Sequence, residues 1–133
     1  MPKKIIKMSG QASGPSGMLR PFSAAVRAGD FIFVSGFHGG GSNPQTGEKY
    51  DTIEAQTRQC LEKIKRALEA GGASMADVVK CTVFIHSSAD FDKMNEAYKD
   101  YFPEDPPARS AVVTQFVRPG MLIQIDCVAY RPE

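Results

Sequence analysis

This chain has no large excess of charge of one sign. It also has no long apolar run and no even set of cysteines that would indicate a disulfide framework. Its 133 residues carry 16 lysines and arginines against 15 aspartates and glutamates, a formal net charge of +1. Such a balance creates no large field to attract nucleic acid or an anionic membrane. Apolar runs such as residues 31–34 are far too short to span a bilayer, and no long apolar stretch follows the basic residues near the start. We therefore expect neither a membrane span nor a signal peptide.

Metal and phosphate motifs are also missing. Cys60, Cys81 and Cys127 are odd in number and widely spaced, which argues against a disulfide framework and favours a reducing, cytoplasmic location. No pair of cysteines or histidines has the spacing of a zinc site. The triple glycine at residues 39–41 is followed by no P-loop lysine and opens no helix, so it is interpreted as a flexible turn. No metal site or cofactor is predicted.

Two segments have the periodicity of amphipathic helices. The first begins after Asp51, which can cap it with Glu54 closing a capping box, and ends at Gly71. Its predicted buried face consists of Ile53, Thr57, Cys60, Leu61, Ile64 and Leu68. The second helix begins at Asp90 and ends before Pro103.

Strands are predicted at residues 4–8, 24–27, 31–35, 78–86, 110–116 and 121–130. In the strand at residues 78–86, Val79, Cys81, Val83 and Ile85 are expected to share one face. The turn Gly29-Asp30 joins the second and third of these into a hairpin, and residues 9–17 form a loop. Strands outnumber helices in the order strands, helix, strand, helix, strands. This order predicts one α+β domain over residues 1–133, with a mixed sheet and both helices on one face.

Two helices leave the second face of the sheet uncovered. In the last strand that face is formed by Leu122, Gln124, Asp126 and Val128, a mixture of apolar and polar side chains. In the strand at residues 31–35 both faces are apolar. Because a partly apolar face is seldom left bare to water, we expect it to pack against other copies of the chain. An amphipathic sheet in a monomer is the alternative.

A lone arginine stands where the segment Pro106-Pro107-Ala108-Arg109-Ser110 enters an apolar strand. The two prolines stiffen its approach, because each fixes its own φ and restricts the preceding residue. A guanidinium held in this way offers a fork of donors matched to a carboxylate. Arg109 is therefore the principal candidate for ligand binding, the alternative being an ion pair at the strand end.

Short segments spread along the chain occur together in one known family. They are Pro21-Phe22-Ser23, Phe33-Val34-Ser35-Gly36, Ala55-Gln56-Thr57-Arg58, Asp77-Val78-Val79-Lys80, Asn95-Glu96-Ala97-Tyr98 and Pro107-Ala108-Arg109-Ser110. In order and approximate spacing the chain resembles the RidA (YjgF/YER057c/UK114) family of reactive-intermediate deaminases, from about residue 21 to residue 130.

The resemblance implies a chorismate-mutase-like fold in a homotrimer, with three sheets lining a central barrel and active sites between subunits. It implies hydrolysis of 2-imino acids, the tautomers of enamines, to 2-keto acids and ammonia without cofactor or metal. Within the family, stretches near residues 21–30 and 117–122 are similar to the 2-aminomuconate and aminoacrylate branches respectively, and the substrate side chain stays open.

Site residues follow from the same resemblance. Arg109 matches the arginine that grips the substrate carboxylate, Ser35 and Gly36 match the pocket floor, and Asn95 matches an asparagine in the cleft. Pocket width is expected to depend on Phe22, Phe37 and His38, and on residues that reach in from a neighbouring copy.

Four positions near the predicted site depart from the family pattern or add to it. Phe22 replaces a tyrosine, and Ala111 stands where many members have a cysteine. Gln124 replaces a glutamate that positions water; it keeps an acceptor oxygen but cannot take a proton. Asp126, two residues on, shares its face and is a candidate carboxylate. We expect Arg109 and Gln124 to be the catalytic residues: Arg109 holds the carboxylate, and Gln124, helped by a backbone carbonyl, orients the water.

Two other functions use the same features. Non-catalytic binding of a small carboxylate metabolite would keep Arg109 and the trimer, with Gln124 explaining the lost hydrolysis. Endoribonuclease or translation-inhibitor activity is assigned to some family members, but Lys3, Lys4 and Lys7 form only a small basic patch with no interleaved aromatic residues. Nucleic acid and membrane are therefore not expected as partners.

Overall fold

A six-stranded mixed sheet forms the centre of the computed structural model, which describes residues 2–8 and 21–133. The predicted loop at residues 9–17 lies outside the described residues. The strands are β1 (Lys4–Ile6), β2 (Ala25–Ala28), β3 (Phe31–His38), β4 (Val78–Ile85), β5 (Ala108–Val113) and β6 (Ile123–Tyr130). Their order is β1-β2-β3-β6-β4-β5, and β4 with β5 is the parallel pair while the other neighbours are antiparallel.

Two α-helices, α1 (Ile53–Ala70) and α2 (Phe91–Tyr98), cover one face of this sheet, as the sequence predicts. Short 3-10 turns precede β4 and flank α2. We call the covered face the helix-side face and the other the open face. The helix-side face supplies the strand part of the core: Ile32, Val34, Cys81, Val83, Ile85, Ile123, Ile125, Cys127 and Ala129. No helix among the described residues is both long and apolar enough to cross a membrane.

The buried stripe of α1 is the predicted one, but its cap is not. The Thr52 side chain, rather than Asp51, accepts a hydrogen bond from the Ala55 N–H at 3.1 Å. Threonine is among the preferred N-cap residues because its side-chain oxygen can accept this hydrogen bond. The helix ends at Gly71, and the next residue, Gly72, adopts φ +82°, a conformation that favours glycine.

The hairpin of β2 and β3 turns at Gly29-Asp30 as predicted, with Gly29 at φ +61°. The buried Arg27 side chain donates to the carbonyl oxygens of Gly29, Gly71 and Arg131, the last at 2.7 Å. It therefore joins the hairpin to the end of α1 and to the C-terminal segment.

One strand prediction is wrong in detail, and the strand order in the sheet differs from the order in the chain. Val79 does not share the buried face of β4, because an irregularity between Val78 and Lys80 turns it outward, and it is 45% exposed. The last two strands follow each other in the chain but are not neighbours: β5 lies at the edge beside β4, whereas β6 lies between β3 and β4.

Candidate functional site

Arg109 lies on the edge strand β5, on the helix-side face. Its register partner is Cys81, which is buried on that face. The half-buried side chain turns toward α2, where its Nη1 donates to Asn95 Oδ1 at 2.7 Å. The structure therefore brings together two of the predicted site residues, Arg109 and Asn95, through a direct hydrogen bond.

Two aromatic rings accompany this hydrogen bond. Arg109 Cζ lies 4.9 Å from the centre of the Tyr98 ring and 5.6 Å from that of Phe91. Both distances fall within the range of cation–π contacts. None of the ion pairs found within residues 2–8 and 21–133 involves Arg109, so the alternative of an ion pair at the strand end is not met there.

Gln124 lies on the open face. Its neighbours Ile123 and Ile125 are fully buried beneath the helices, and side chains alternate along a strand, so Gln124 points the other way. Across the sheet it pairs with Phe84 of β4 and His38 of β3.

A bulge in β3 between Val34 and Phe37 brings Gly36 against Gln124. A Cβ atom at Gly36 would lie 2.4 Å from Gln124 Nε2, far inside van der Waals contact. The Gln124 carboxamide occupies its place because residue 36 has no side chain.

The remaining predicted residues are divided between other environments. The Ser35 hydroxyl donates to the carbonyl oxygen of Ser23, and this bond tethers the segment that carries the exposed Phe22. Phe37 pairs with Ile125 and packs against the core on the helix-side face, away from Gln124. Ala111 pairs with Val83, so it shares the face of Arg109 at the exposed sheet edge.

Five of the predicted residues thus form two groups on opposite faces of one sheet. The first, on the helix-side face, consists of Arg109, Asn95 and Ala111; the second, on the open face, consists of Gly36 and Gln124. A small ligand cannot contact both groups of the same protomer, because the sheet lies between them.

Asp126 is the titratable group of the open face closest in sequence to Gln124, and it pairs with Thr82. Partial burial raises the pKa of its carboxyl group, while the Thr82 hydroxyl and the Lys80 charge act in the opposite direction. The folded state therefore binds a proton at Asp126 more readily than the unfolded state does.

Replacing this carboxyl group is expected to change stability in a pH-dependent way. Because its folded pKa is raised, ionised Asp126 costs stability as the pH rises through that pKa, and the cost disappears at lower pH. Asp126→Asn should therefore melt at a higher temperature than the parent chain at pH 7, and the difference should vanish near pH 3. Thermal unfolding followed by circular dichroism at several pH values measures it; a difference that does not vary with pH contradicts this account.

The aromatic partners of Arg109 were predicted as helix residues but not as part of the site. Phe91, Asn95 and Tyr98 are spaced by four and three residues, which places them on one face of α2. That spacing was the available signal, but sequence alone did not indicate which strand residue would face it.

A cavity of about 530 Å³ lies elsewhere, between the end of α1 and the segment that joins α2 to β5. Its lining includes Lys65, Met75 and Tyr101, and it contains none of the predicted site residues. Within the described residues, no group of three or more His, Cys, Asp or Glu side chains is arranged to hold a metal ion.

Comparisons with known proteins agree on the family. Residues 15–131 match the family described as Endoribonuclease L-PSP. The chain is 37% identical over 130 residues to 3-aminoacrylate deaminase RutC of Acinetobacter baylyi, covering 98% of this chain and 99% of that protein. It is 38% identical to the chloroplastic Reactive Intermediate Deaminase A of Arabidopsis thaliana, over 84% of this chain and 59% of that protein. The structure of the Escherichia coli YjgF gene product superposes with a TM-score of 0.81 at 32% identity, covering 96% of this chain and 98% of the other.

Proposed function

Because the chain belongs to the Endoribonuclease L-PSP family, also known as the YjgF/RidA family, we propose that it is a hydrolytic deaminase of reactive enamine and imine intermediates. Its products are a 2-keto acid and ammonia. The observation that carries the proposal is the state of Arg109: its guanidinium is held by a neutral carboxamide and two rings, with no carboxylate partner among the described residues. Its charge is therefore available to the carboxylate of a ligand.

The main contribution of the protein to this hydrolysis is to position the substrate and a water molecule. Water adds to the carbon of the C=N bond, its displaced proton reaches the nitrogen through solvent, and the tetrahedral adduct expels ammonia and leaves a C=O group. Gln124 orients the water, with Oε1 accepting and Nε2 donating, but it takes no proton. Holding the carboxylate and the water together supplies most of the acceleration.

We place the site between two copies of the chain in a homotrimer. Arg109 of one copy and Gln124 of the next contact the same ligand, since the two groups of one copy lie on opposite faces. The open face supports this arrangement because it presents large apolar side chains to solvent, Phe33 among them at 48% exposure. Further exposed apolar side chains on this face are Ile5, Phe31, Val112 and Tyr130. We assign the protein to the cytoplasm, where its three free cysteines would stay reduced.

A trapping assay tests the activity. An amino-acid oxidase generates a 2-imino acid in the presence of semicarbazide, and formation of the semicarbazone is followed with and without the purified protein. We expect the protein to suppress trapping in proportion to its concentration. If the imine persists while 2-oxobutyrate still binds, the function is carboxylate binding. RNA cleavage, or an RNA affinity that falls steeply with salt, would instead support the activity that the family description names.

A mixing experiment tests the shared site. Arg109→Ala and Gln124→Ala are each expected to be inactive alone. When the two variants are unfolded together in equal amounts and refolded, about one interface in four should combine an intact Arg109 with an intact Gln124 and recover activity. Light scattering on the same samples reports whether trimers form. Trimers that regain no activity would contradict a site built from these two residues on different copies.

A further inference from the structure

We propose that Phe91, Asn95 and Tyr98 of α2 are positioning residues that hold the Arg109 guanidinium with one edge presented to the ligand. In this assignment Asn95 acts through Arg109 and does not itself bind the substrate. The inference rests on the proposed function, since it concerns how the same site grips a carboxylate.

The geometry of α2 supplies the first step. Phe91 and Tyr98 are two turns apart on one face of the helix, with Asn95 between them. The guanidinium is in contact range of all three, at 5.6 Å from the Phe91 ring centre, 4.9 Å from the Tyr98 ring centre and 2.7 Å from Asn95 Oδ1. Both rings approach the guanidinium carbon, whereas the hydrogen bond to Asn95 engages only Nη1. The N–H groups of Nε and Nη2 lie in the plane of the guanidinium, as bidentate binding of a carboxylate requires.

The chemistry of the acceptor supplies the second step. Elsewhere in the described residues carboxylates hold two surface arginines: Asp100 pairs with Arg58 at 3.0 Å, and Asp77 pairs with Arg131 at 3.4 Å. At Arg109 the acceptor is a carboxamide. It orients the guanidinium without neutralising it, so the positive charge is retained for a ligand.

Tyr98 supplies the third step. Its side chain is 6% exposed, and its buried hydroxyl lies beside the Cys81 thiol without a well-formed hydrogen bond. Burial raises the pKa of this hydroxyl, so it stays neutral. The part of Tyr98 that contacts Arg109 is its ring, and we assign the positioning role to the ring rather than to the hydroxyl.

A double-mutant cycle separates positioning from direct substrate contact. We expect Asn95→Ala to raise the KM for the imine, and the inhibition constant of 2-oxobutyrate, about tenfold, with kcat changed less than threefold. In an Arg109→Lys background the same substitution should change either constant less than twofold, because the group it positions is gone. Equal effects in both backgrounds would show that Asn95 contacts the ligand independently and would overturn the proposal.

Matched ring variants test the aromatic contacts. Tyr98→Phe keeps the ring and removes the buried hydroxyl, so we expect an unchanged KM and a melting temperature no lower than that of the parent. Tyr98→Leu removes the ring and should raise KM at least fivefold. Phe91→Leu makes the same test at a position that is 37% exposed, where the change carries less risk of unfolding than at Tyr98, with an expected rise in KM of about threefold. If Phe91→Leu and a folded Tyr98→Leu both keep the parental KM, the rings do not position Arg109.

Failure of this inference is distinguishable from failure of the proposed function. In one outcome, the parent protein hydrolyses imines and is inhibited by 2-oxobutyrate while the α2 variants behave like the parent. That result would refute only the positioning role of Phe91, Asn95 and Tyr98. If the parent protein does neither, the deaminase proposal falls, and the positioning role falls with it.

Discussion

Replacing Arg109 by lysine is expected to lower kcat/KM for a 2-imino acid by about 10- to 100-fold, which corresponds to the loss of one charge-assisted hydrogen bond worth about 1.5–3 kcal/mol. Lysine keeps the charge but presents a point rather than a planar fork. It also cannot keep the hydrogen bond to Asn95 and the contact with the Tyr98 ring in the same way. The loss should appear mainly in KM, because the carboxylate is held in the ground state as well as in the transition state.

The matched control is Arg58→Lys. Arg58 is an exposed arginine whose side chain pairs with Asp100 on the surface, so the same change of chemistry there should leave turnover unaffected. The semicarbazide assay measures both variants at several imine concentrations. If Arg109→Lys turns over imines as fast as the parent, Arg109 does not grip the substrate.

Gly39→Ala is expected to destabilise the fold by about 3 kcal/mol or more, beyond the usual cost of an added methyl group. A Cβ atom at Gly39 would lie 1.8 Å from the backbone oxygen of Gln56 in α1. The helix cannot retreat without loss, because the 1%-exposed Gln56 side chain donates to the carbonyl oxygens of Tyr50 and Gly120 and accepts from the N–H of Leu122. Moving α1 would leave these buried groups unpaired.

The neighbouring residue provides the control. A Cβ atom at Gly40 would meet His38 Nδ1 at 3.6 Å, an ordinary contact, so Gly40→Ala should change stability by less than about 1 kcal/mol. Urea unfolding of the two variants and the parent, followed by circular dichroism, compares them directly. Equal stabilities of Gly39→Ala and Gly40→Ala would mean that α1 and β3 can separate freely, contrary to this packing.

The helices illustrate what periodicity predicts well. In α1, every residue assigned to the buried face is buried. Apolar residues at helical spacing form one stripe, and the helix must pack with that stripe against the sheet to remove it from water. The N-cap was misassigned by one residue, since Asp51 and Thr52 both carry an oxygen able to accept a hydrogen bond from a backbone N–H. Which of the two residues caps the helix depends on backbone dihedral angles, and the residue types do not specify these angles.

The strands illustrate the opposite case. Alternation assigned Val79 to the core, but a shift in pairing against β6 turned it outward. Likewise, the residue types of β5 gave no indication that this strand would lie parallel to β4 while β6 took the place between β3 and β4. Register and strand order depend on pairing between residues far apart in the chain, and they cannot be inferred from the residue types of a single strand.

By itself, the sequence determined the α+β class, the hairpin at Gly29-Asp30, the covered and open faces of the sheet, and Arg109 as the candidate anchor. Periodicity, turn chemistry and the stiff proline approach are local properties, and local properties can be inferred from neighbouring residues. Only the tertiary structure decided that Arg109 meets Asn95 and two rings of α2, and that Gln124 lies on the other side of the sheet. Those relations join residues far apart in the chain, and they exist only once strand order and register have been set by packing.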